Sequence, residues 1–172
     1  MGEQAITGYA ISWNQPAIIA GAFEERFARG AFDSHLQEDP DVAALWAHDV
    51  SRPLARVGNG TLKFRSDNVG LYYSIIPNAE SPLGQEAIAI VGTDTVNEVS
   101  VSFSPEIEEW DDTGDLPRRL ITQARLYEEV SLVLWGAYGR ATSAGLRSDN
   151  RAAAKRRIEA AMELWLILGD AA

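Results

Sequence analysis

The chain contains no cysteine, and only two of its 172 residues are histidines. The lack of cysteine excludes disulfides and thiolate metal sites, and two histidines argue against a multi-histidine metal site. Any chemistry that depends on histidine has two candidates, His35 and His48. We therefore predict no metal and no cofactor.

Long hydrophobic runs are also missing, and the N-terminus lacks the pattern of a signal peptide. We expect a protein that acts in the cytoplasm where it is made and does not enter a membrane. Positive charge is in short supply, because 15 Lys and Arg stand against 25 Asp and Glu, for a net charge of −10. This balance argues against a general nucleic-acid binder.

Apolar residues, in contrast, are plentiful, at 46% of the chain, which is enough for one ordinary domain with a hydrophobic core. Many short apolar or alternating segments, separated by turn signals, predict strands. Residues 42–48 are predicted to form one strand that ends with His48. Residues 99–104 alternate apolar side chains with Ser100, Ser102 and Ser104, which indicates a half-buried strand.

Helices are predicted at three places. Residues 30–36 form a short helix with His35 on its surface. Ser81 suits an N-cap and Pro82 a first turn, so a second helix should run to about Gly92. Residues 151–172 place Ile158 and further apolar side chains at helical spacing, which is typical of an amphipathic helix.

The predicted fold is mainly β with peripheral helices (α+β), arranged as a closed or nearly closed antiparallel β-barrel. Residues 1–140 should form this barrel domain, residues 141–150 a polar tether, and residues 151–172 the amphipathic helix. The helix packs either on its own barrel or on another protein chain, since apolar stripes on a surface mark interaction sites.

Three predicted strands carry a histidine, a serine and a carboxylate, which together can activate a serine nucleophile. They are His48, Ser100 and one of the adjacent pair Glu128 and Glu129. Neighbouring residues of a strand point to opposite faces, and a β-bulge would exchange them, so the pattern leaves the choice of glutamate open.

Each of these residues also has a simpler interpretation. Ser100 fits the solvated face of a half-buried strand, because alternation produces such serines routinely. His48 fits a structural histidine near the end of a strand. Glu128 and Glu129 fit edge-strand charges that discourage aggregation. A ligand-binding barrel, with an apolar pocket in place of a polar cluster, also remains open.

Six segments, in this order and spacing, resemble those of a known family. They are Gly-Tyr-Ala at 8–10, Gly-Ala-Phe at 30–32, Leu-Trp-Ala-His-Asp at 45–49, Ser-Pro-Leu-Gly at 81–84, Val-Ser-Val-Ser-Phe at 99–103 and Leu-Tyr-Glu-Glu-Val-Ser-Leu-Val at 126–133. The family is that of the prohead (capsid maturation) proteases of tailed bacteriophages, relatives of the herpesvirus assemblins. The resemblance covers residues 6–140 and implies a barrel of the assemblin and prohead-protease type.

The resemblance implies a serine endopeptidase with Ser100 as nucleophile, His48 as base and Glu129 as the acid. It also suggests Gly139 and Arg140 for the oxyanion hole. Ser102 stands where the family usually has glycine, and we expect it to be replaceable by alanine with little loss of activity.

The biology that the resemblance implies is phage prohead maturation. The substrates would be capsid and scaffolding proteins, and the place of action would be the assembling procapsid in the host cytoplasm. We expect a homo-oligomer, in which the helix at 151–172 contacts either its own barrel or another subunit or capsid partner. The alternative function is that of a non-catalytic capsid assembly or scaffolding protein on the same fold.

Overall fold

In this computed structural model, residues 4–146 are described, without the side chain of Arg140. The strands are β1 (Ile6–Ser12), β2 (Ala17–Ile19), β3 (Phe23–Phe27), β4 (Ala43–Trp46), β5 (Asp49–Arg56), β6 (Leu62–Ser66), β7 (Gly70–Ile75), β8 (Glu98–Asp111), β9 (Arg118–Val133) and β10 (Gly145–Leu146). The helices are α1 (Asp33–Leu36) and α2 (Pro82–Gly92), with short 3₁₀ turns at Val57–Asn59 and Gly139–Ala141. The described residues are therefore mainly β with few helices, as predicted.

The strands form two sheets, one of four strands in the order β10-β1-β7-β6 and one of six strands. The larger sheet has the order β2-β3-β9-β4-β5, and β8 pairs along the other edge of β9. Strands β3 and β4 run parallel to β9, whereas the other pairs are antiparallel. Neither sheet closes on itself within residues 4–146, so the closed antiparallel barrel is not confirmed.

One hydrophobic core takes side chains from both sheets. Among its fully buried members are Ile6, Leu71, Tyr73, Val99, Ile121 and Leu132. Each large apolar side chain that is removed from water contributes about 1.5–3 kcal/mol. This core gives the larger sheet one buried face, so that the polar side chains of β8 and β9 gather on the opposite face.

Helix α2 confirms the predicted capping. Ser81 Oγ accepts the Gly84 N–H at 3.0 Å, Pro82 occupies the first turn, and the helix ends at Gly92. The cap satisfies a backbone donor that the helix itself leaves unpaired. Among the helices of residues 4–146, none has the length and hydrophobicity needed to cross a bilayer.

Residues 141–146, which are part of the predicted tether, pack on the fold. Thr142 and Ala144 are buried, and β10 pairs with Ile6 and Thr7 of β1. The packed part of the chain therefore reaches at least to Leu146. The rest of the predicted tether, 147–150, and the predicted helix at 151–172 lie outside the described residues.

His35 is buried in α1, and the prediction of a surface position is wrong. Its Nδ1 accepts the Leu126 N–H of β9 at 2.9 Å, which ties α1 to the middle of the larger sheet. Burial, and then the nearby Arg125, lower the pKa of His35, while Glu38 and Glu106 act in the opposite direction. Only the neutral ring can accept this hydrogen bond at Nδ1.

We expect the His35 bond to make stability depend on pH. Because the pKa of His35 is lower in the folded state, its contribution is complete above the ordinary value of about 6.5 and is lost as the pH falls below it. His35→Asn offers an amide oxygen near the Nδ1 position and does not titrate. Thermal unfolding, followed by circular dichroism at pH 7.5 and 5.0, measures the free energy of unfolding of both proteins. Between these pH values the wild type should lose more of it than His35→Asn, and the difference should be less than about 1.4 kcal/mol per pH unit. Equal losses in the two proteins would contradict this role.

Candidate active site

The second half of β9 lies between β8 and β4 and brings together the candidate residues. Ser131 is paired with Ser100 of β8 on one side and with Leu45 of β4 on the other. Ser131 is fully buried, although it is polar. The chain segments that carry the serine, histidine and carboxylate candidates therefore meet around one residue of β9.

His48 lies in a turn and not in a strand, which corrects the predicted strand at 42–48. Strand β4 ends at Trp46, and Trp46 pairs with Asp49 across a two-residue turn. Ala47 and His48 have φ angles of 52° and 62°, as a type I′ hairpin requires. Such angles are uncommon for residues other than glycine.

Two hydrogen bonds hold this turn on β9. Ala47 N–H donates to the Leu132 carbonyl, and His48 N–H donates to Ser131 Oγ, each at 3.0 Å. Asp49, the residue after the turn, accepts hydrogen bonds from the hydroxyl and the backbone N–H of Ser51. These two bonds lower the pKa of the Asp49 carboxyl. The His48 backbone is thus fixed, while its imidazole remains about half exposed.

A bulge in β9 decides which of the adjacent glutamates faces the cluster. The register passes from Val101 opposite Val130 to Phe103 opposite Leu126, so β9 carries extra residues at this point. Glu128 takes up the distortion with a φ of 49° and is exposed. Glu129 faces the cluster, and its side chain is 14% exposed.

The Glu129 carboxylate is the centre of a hydrogen-bond network. Its Oε1 lies 2.9 Å from His48 Nδ1 and accepts the Ser102 hydroxyl at 2.6 Å. Its Oε2 accepts the Ser131 hydroxyl at 2.5 Å. If the carboxylate is ionised, it can only accept, and the proton of this contact then lies on Nδ1 of the imidazole. The neutral ring then presents an unprotonated Nε2, which is the form that a general base needs.

Ser100 lies on the same face of the sheet as this network. It is two residues before Ser102 in a strand, and the Ser102 hydroxyl reaches Glu129. It is also directly opposite Ser131, a placement that puts the two Cβ atoms about 4.5–5.5 Å apart. Within the described residues, Ser100 makes no hydrogen bond to His48, and catalytic contacts in substrate-free sites are often longer than a hydrogen bond.

The segment after β9 passes beside the start of β8. Gly136 N–H donates to Glu98 at 2.8 Å, and the Val99 N–H donates to Thr142 Oγ1 at 3.1 Å. A Cβ on Gly136 would lie 2.8 Å from the Val99 carbonyl oxygen, so only glycine fits this approach. The segment is therefore held next to the strand that carries Ser100.

The suggested oxyanion residues lie in this segment, but Gly139 does not present a free N–H. Gly139 N–H donates to the Gly136 carbonyl at 3.1 Å, within its own turn. Arg140 follows in the same 3₁₀ turn, and its side chain is outside the described part of the structure. In this conformation, Gly139 is thus not available as an oxyanion donor.

A buried polar pair anchors the same segment at Tyr138. The Tyr138 hydroxyl donates to Glu25, which is buried and also accepts from Arg119 at 2.9 Å. Burial, together with Glu25, raises the pKa of Tyr138 well above its usual value, so the phenol stays a donor. This bond fixes one end of the turn at Gly139 to strand β3.

The family described as caudovirus prohead serine protease matches residues 1–157. The chain belongs to this family. Membership indicates a serine peptidase of the phage prohead type. No curated protein and no solved structure matches the chain.

The sequence pattern missed two residues of the site. Ser102 and Ser131 each donate to Glu129, although the sequence pattern predicts for Ser102 only a place on a strand face and for Ser131 no role in the site. The spacing of Glu129 and Ser131, two apart in a strand, already placed them on one face. That spacing could have predicted the contact between Ser131 and Glu129. The contact between Ser102 and Glu129 depends on the bulge in β9, and no pattern in the sequence predicts it.

Proposed function

We propose that the chain is a serine endopeptidase that cleaves scaffold and capsid-protein segments during maturation of a phage prohead. Ser100 is the nucleophile, His48 the general base and Glu129 the acid of the triad. The 2.9 Å contact between His48 Nδ1 and Glu129 Oε1, on the face that carries Ser100, is the observation that supports this assignment most strongly. Membership of a serine protease family supports the reaction class.

In this mechanism, Ser100 Oγ attacks the carbonyl carbon of the scissile peptide bond while His48 Nε2 takes the hydroxyl proton. The tetrahedral intermediate collapses, the C–N bond breaks, and the imidazolium gives its proton to the leaving amine. Water then hydrolyses the acyl-enzyme by the same two proton transfers. Glu129 holds the tautomer and stabilises the imidazolium, and general base catalysis of this type contributes ~10²–10⁴ in rate.

The segment at Gly139 and Arg140, which lies beside β8, is the proposed source of the oxyanion hole. For Gly139 to donate to the developing oxyanion, its N–H must leave the Gly136 carbonyl when substrate binds. Backbone donors of this kind are worth about 2.7–4 kcal/mol in the transition state. The proposed enzyme therefore completes its site only with substrate present.

The proposed place of action is the assembling procapsid in the host cytoplasm, with capsid and scaffolding proteins as substrates. A homo-oligomer fits a protease that is concentrated inside a closed shell. The triad needs no cofactor, since attack and proton transfer are carried by side chains alone.

Covalent labelling tests the nucleophile without a known cleavage site. A phosphonofluoridate probe should label Ser100, because the activated Oγ attacks phosphorus, fluoride leaves, and the hydroxyl proton passes to His48. Mass spectrometry of the digested protein then identifies the modified residue. His48→Ala should reduce the labelling rate ~10²–10⁴-fold.

Ser104→Ala is the matched control for this experiment. Ser104 lies on the same strand and face but is exposed, so its variant should label at the wild-type rate. No labelling of the folded wild type would favour the non-catalytic assembly protein. Labelling at any residue other than Ser100 would show that the nucleophile is misassigned.

A further inference from the structure

Ser102 shares an acceptor with the imidazole. Its hydroxyl donates to Glu129 Oε1 at 2.6 Å, and the same oxygen lies 2.9 Å from His48 Nδ1. The other oxygen, Oε2, accepts from the buried Ser131. The two serines therefore hold the carboxylate from both sides, and only Ser102 competes directly with the ring for its acceptor.

The position of Ser102 on β8 makes this contact specific. It lies between Val101 and Phe103, opposite the point where the register shifts across the bulge of β9. The bulge redirects the Glu129 side chain, and a bulge in a sheet is typically used to aim a side chain. Ser104, two residues further along the strand, is exposed and makes no comparable contact within the described residues.

We infer that Ser102 is a positioning residue, which sets both the orientation of Glu129 and the strength of its interaction with His48. This inference rests on the proposed triad. A hydroxyl donor on Oε1 keeps the carboxylate from rotating. It also shares the negative charge of Oε1, which would otherwise act on the imidazole alone. The proposed site thus uses a carboxylate that has three donors. On this inference Ser102→Ala loses activity, in contrast to the prediction from the sequence.

Removing the hydroxyl should slow the chemical step and change its pH dependence. For Ser102→Ala, the rate of phosphonylation and kcat should fall about tenfold, with KM nearly unchanged, as expected for a lost hydrogen bond to a charged group. The acid-side midpoint of the pH–rate profile should shift by about 0.5 unit, because the interaction between the carboxylate and the imidazolium changes when Oε1 loses its second donor. Ser102→Thr keeps the hydroxyl and should restore both values.

The experiment uses the purified 172-residue chain, the phosphonofluoridate probe and a pH range from 5 to 9, with Ser104→Ala as control. Ser102→Ala could instead lower only the amount of active protein, with the wild-type midpoint of the pH–rate profile and no recovery in Ser102→Thr. That result would show a merely structural role and overturn the inference. A wild-type rate for Ser102→Ala would also overturn the inference, but it would not contradict the proposed triad. If the wild type itself is not labelled at Ser100, the proposed function fails instead.

Discussion

Ser100→Ala should abolish peptide cleavage and leave the fold intact. Without the hydroxyl no acyl-enzyme can form, and loss of a serine nucleophile costs on the order of 10⁶ in kcat. The Ser100 hydroxyl makes no hydrogen bond within the described residues, so the free energy of unfolding should change by less than about 0.5 kcal/mol. Co-expression with the capsid and scaffolding proteins of the same phage, read by mass spectrometry, measures cleavage, and thermal unfolding measures stability.

The control for this prediction is Ser104→Ala, which removes an exposed hydroxyl from the same face of β8. It should cleave at the wild-type rate. Cleavage by Ser100→Ala at a comparable rate would eliminate Ser100 as the nucleophile. A large fall in its melting temperature would show instead that the residue belongs to the packing of the strand.

The second large effect is expected for Glu129→Gln. The carboxamide offers an NH₂ group or a neutral oxygen to His48 Nδ1, so it no longer selects the tautomer or stabilises the imidazolium, and activity should fall ~10²–10⁴-fold. Ser102 and Ser131 also lose a charged acceptor. Initial cleavage rates, measured at saturating and at limiting substrate, separate this loss in kcat from any change in binding.

Glu128→Gln is the matched control, since it makes the same chemical change one residue away. Glu128 is exposed and occupies the bulge with a φ of 49°. Its replacement should leave kcat within about twofold, because exposed polar substitutions rarely disturb a structure. The reverse result, a silent Glu129→Gln and a damaged Glu128→Gln, would mean that the bulge turns the other glutamate inward during catalysis.

Features set by a few neighbouring residues were predictable from the sequence. Helix α2 and its Ser81 cap follow from local propensity, and the alternation of residues 99–104 follows from the period of a strand. The division of the described strands into two sheets and the parallel pairing of β9 with β3 and β4 were not predicted. These pairings join distant segments, and no local pattern specifies which strands meet.

Within the candidate site, residue types were easier to predict than their local geometry. His48 was expected in a strand, because its turn lacks the Asn-Gly pattern that marks a type I′ hairpin. The turn is instead stabilised by bonds from Ser131 and Leu132, which come from another strand. The bulge at Glu128 is likewise fixed by pairing with β8. Its effect on Glu129 therefore could not be predicted from the sequence of one segment alone.

The contact between His48 and Glu129 joins residues that are 81 positions apart in the chain. At a synthesis rate of about 5–20 residues per second, the carboxylate is made roughly 4–16 s after the imidazole. Strand β9 must then insert between β8 and β4, a non-local step of the kind that slows folding. If His48 and Glu129 act as the proposed base and acid, the growing chain on the ribosome has its base long before its acid, and cleavage cannot begin until synthesis has passed β9.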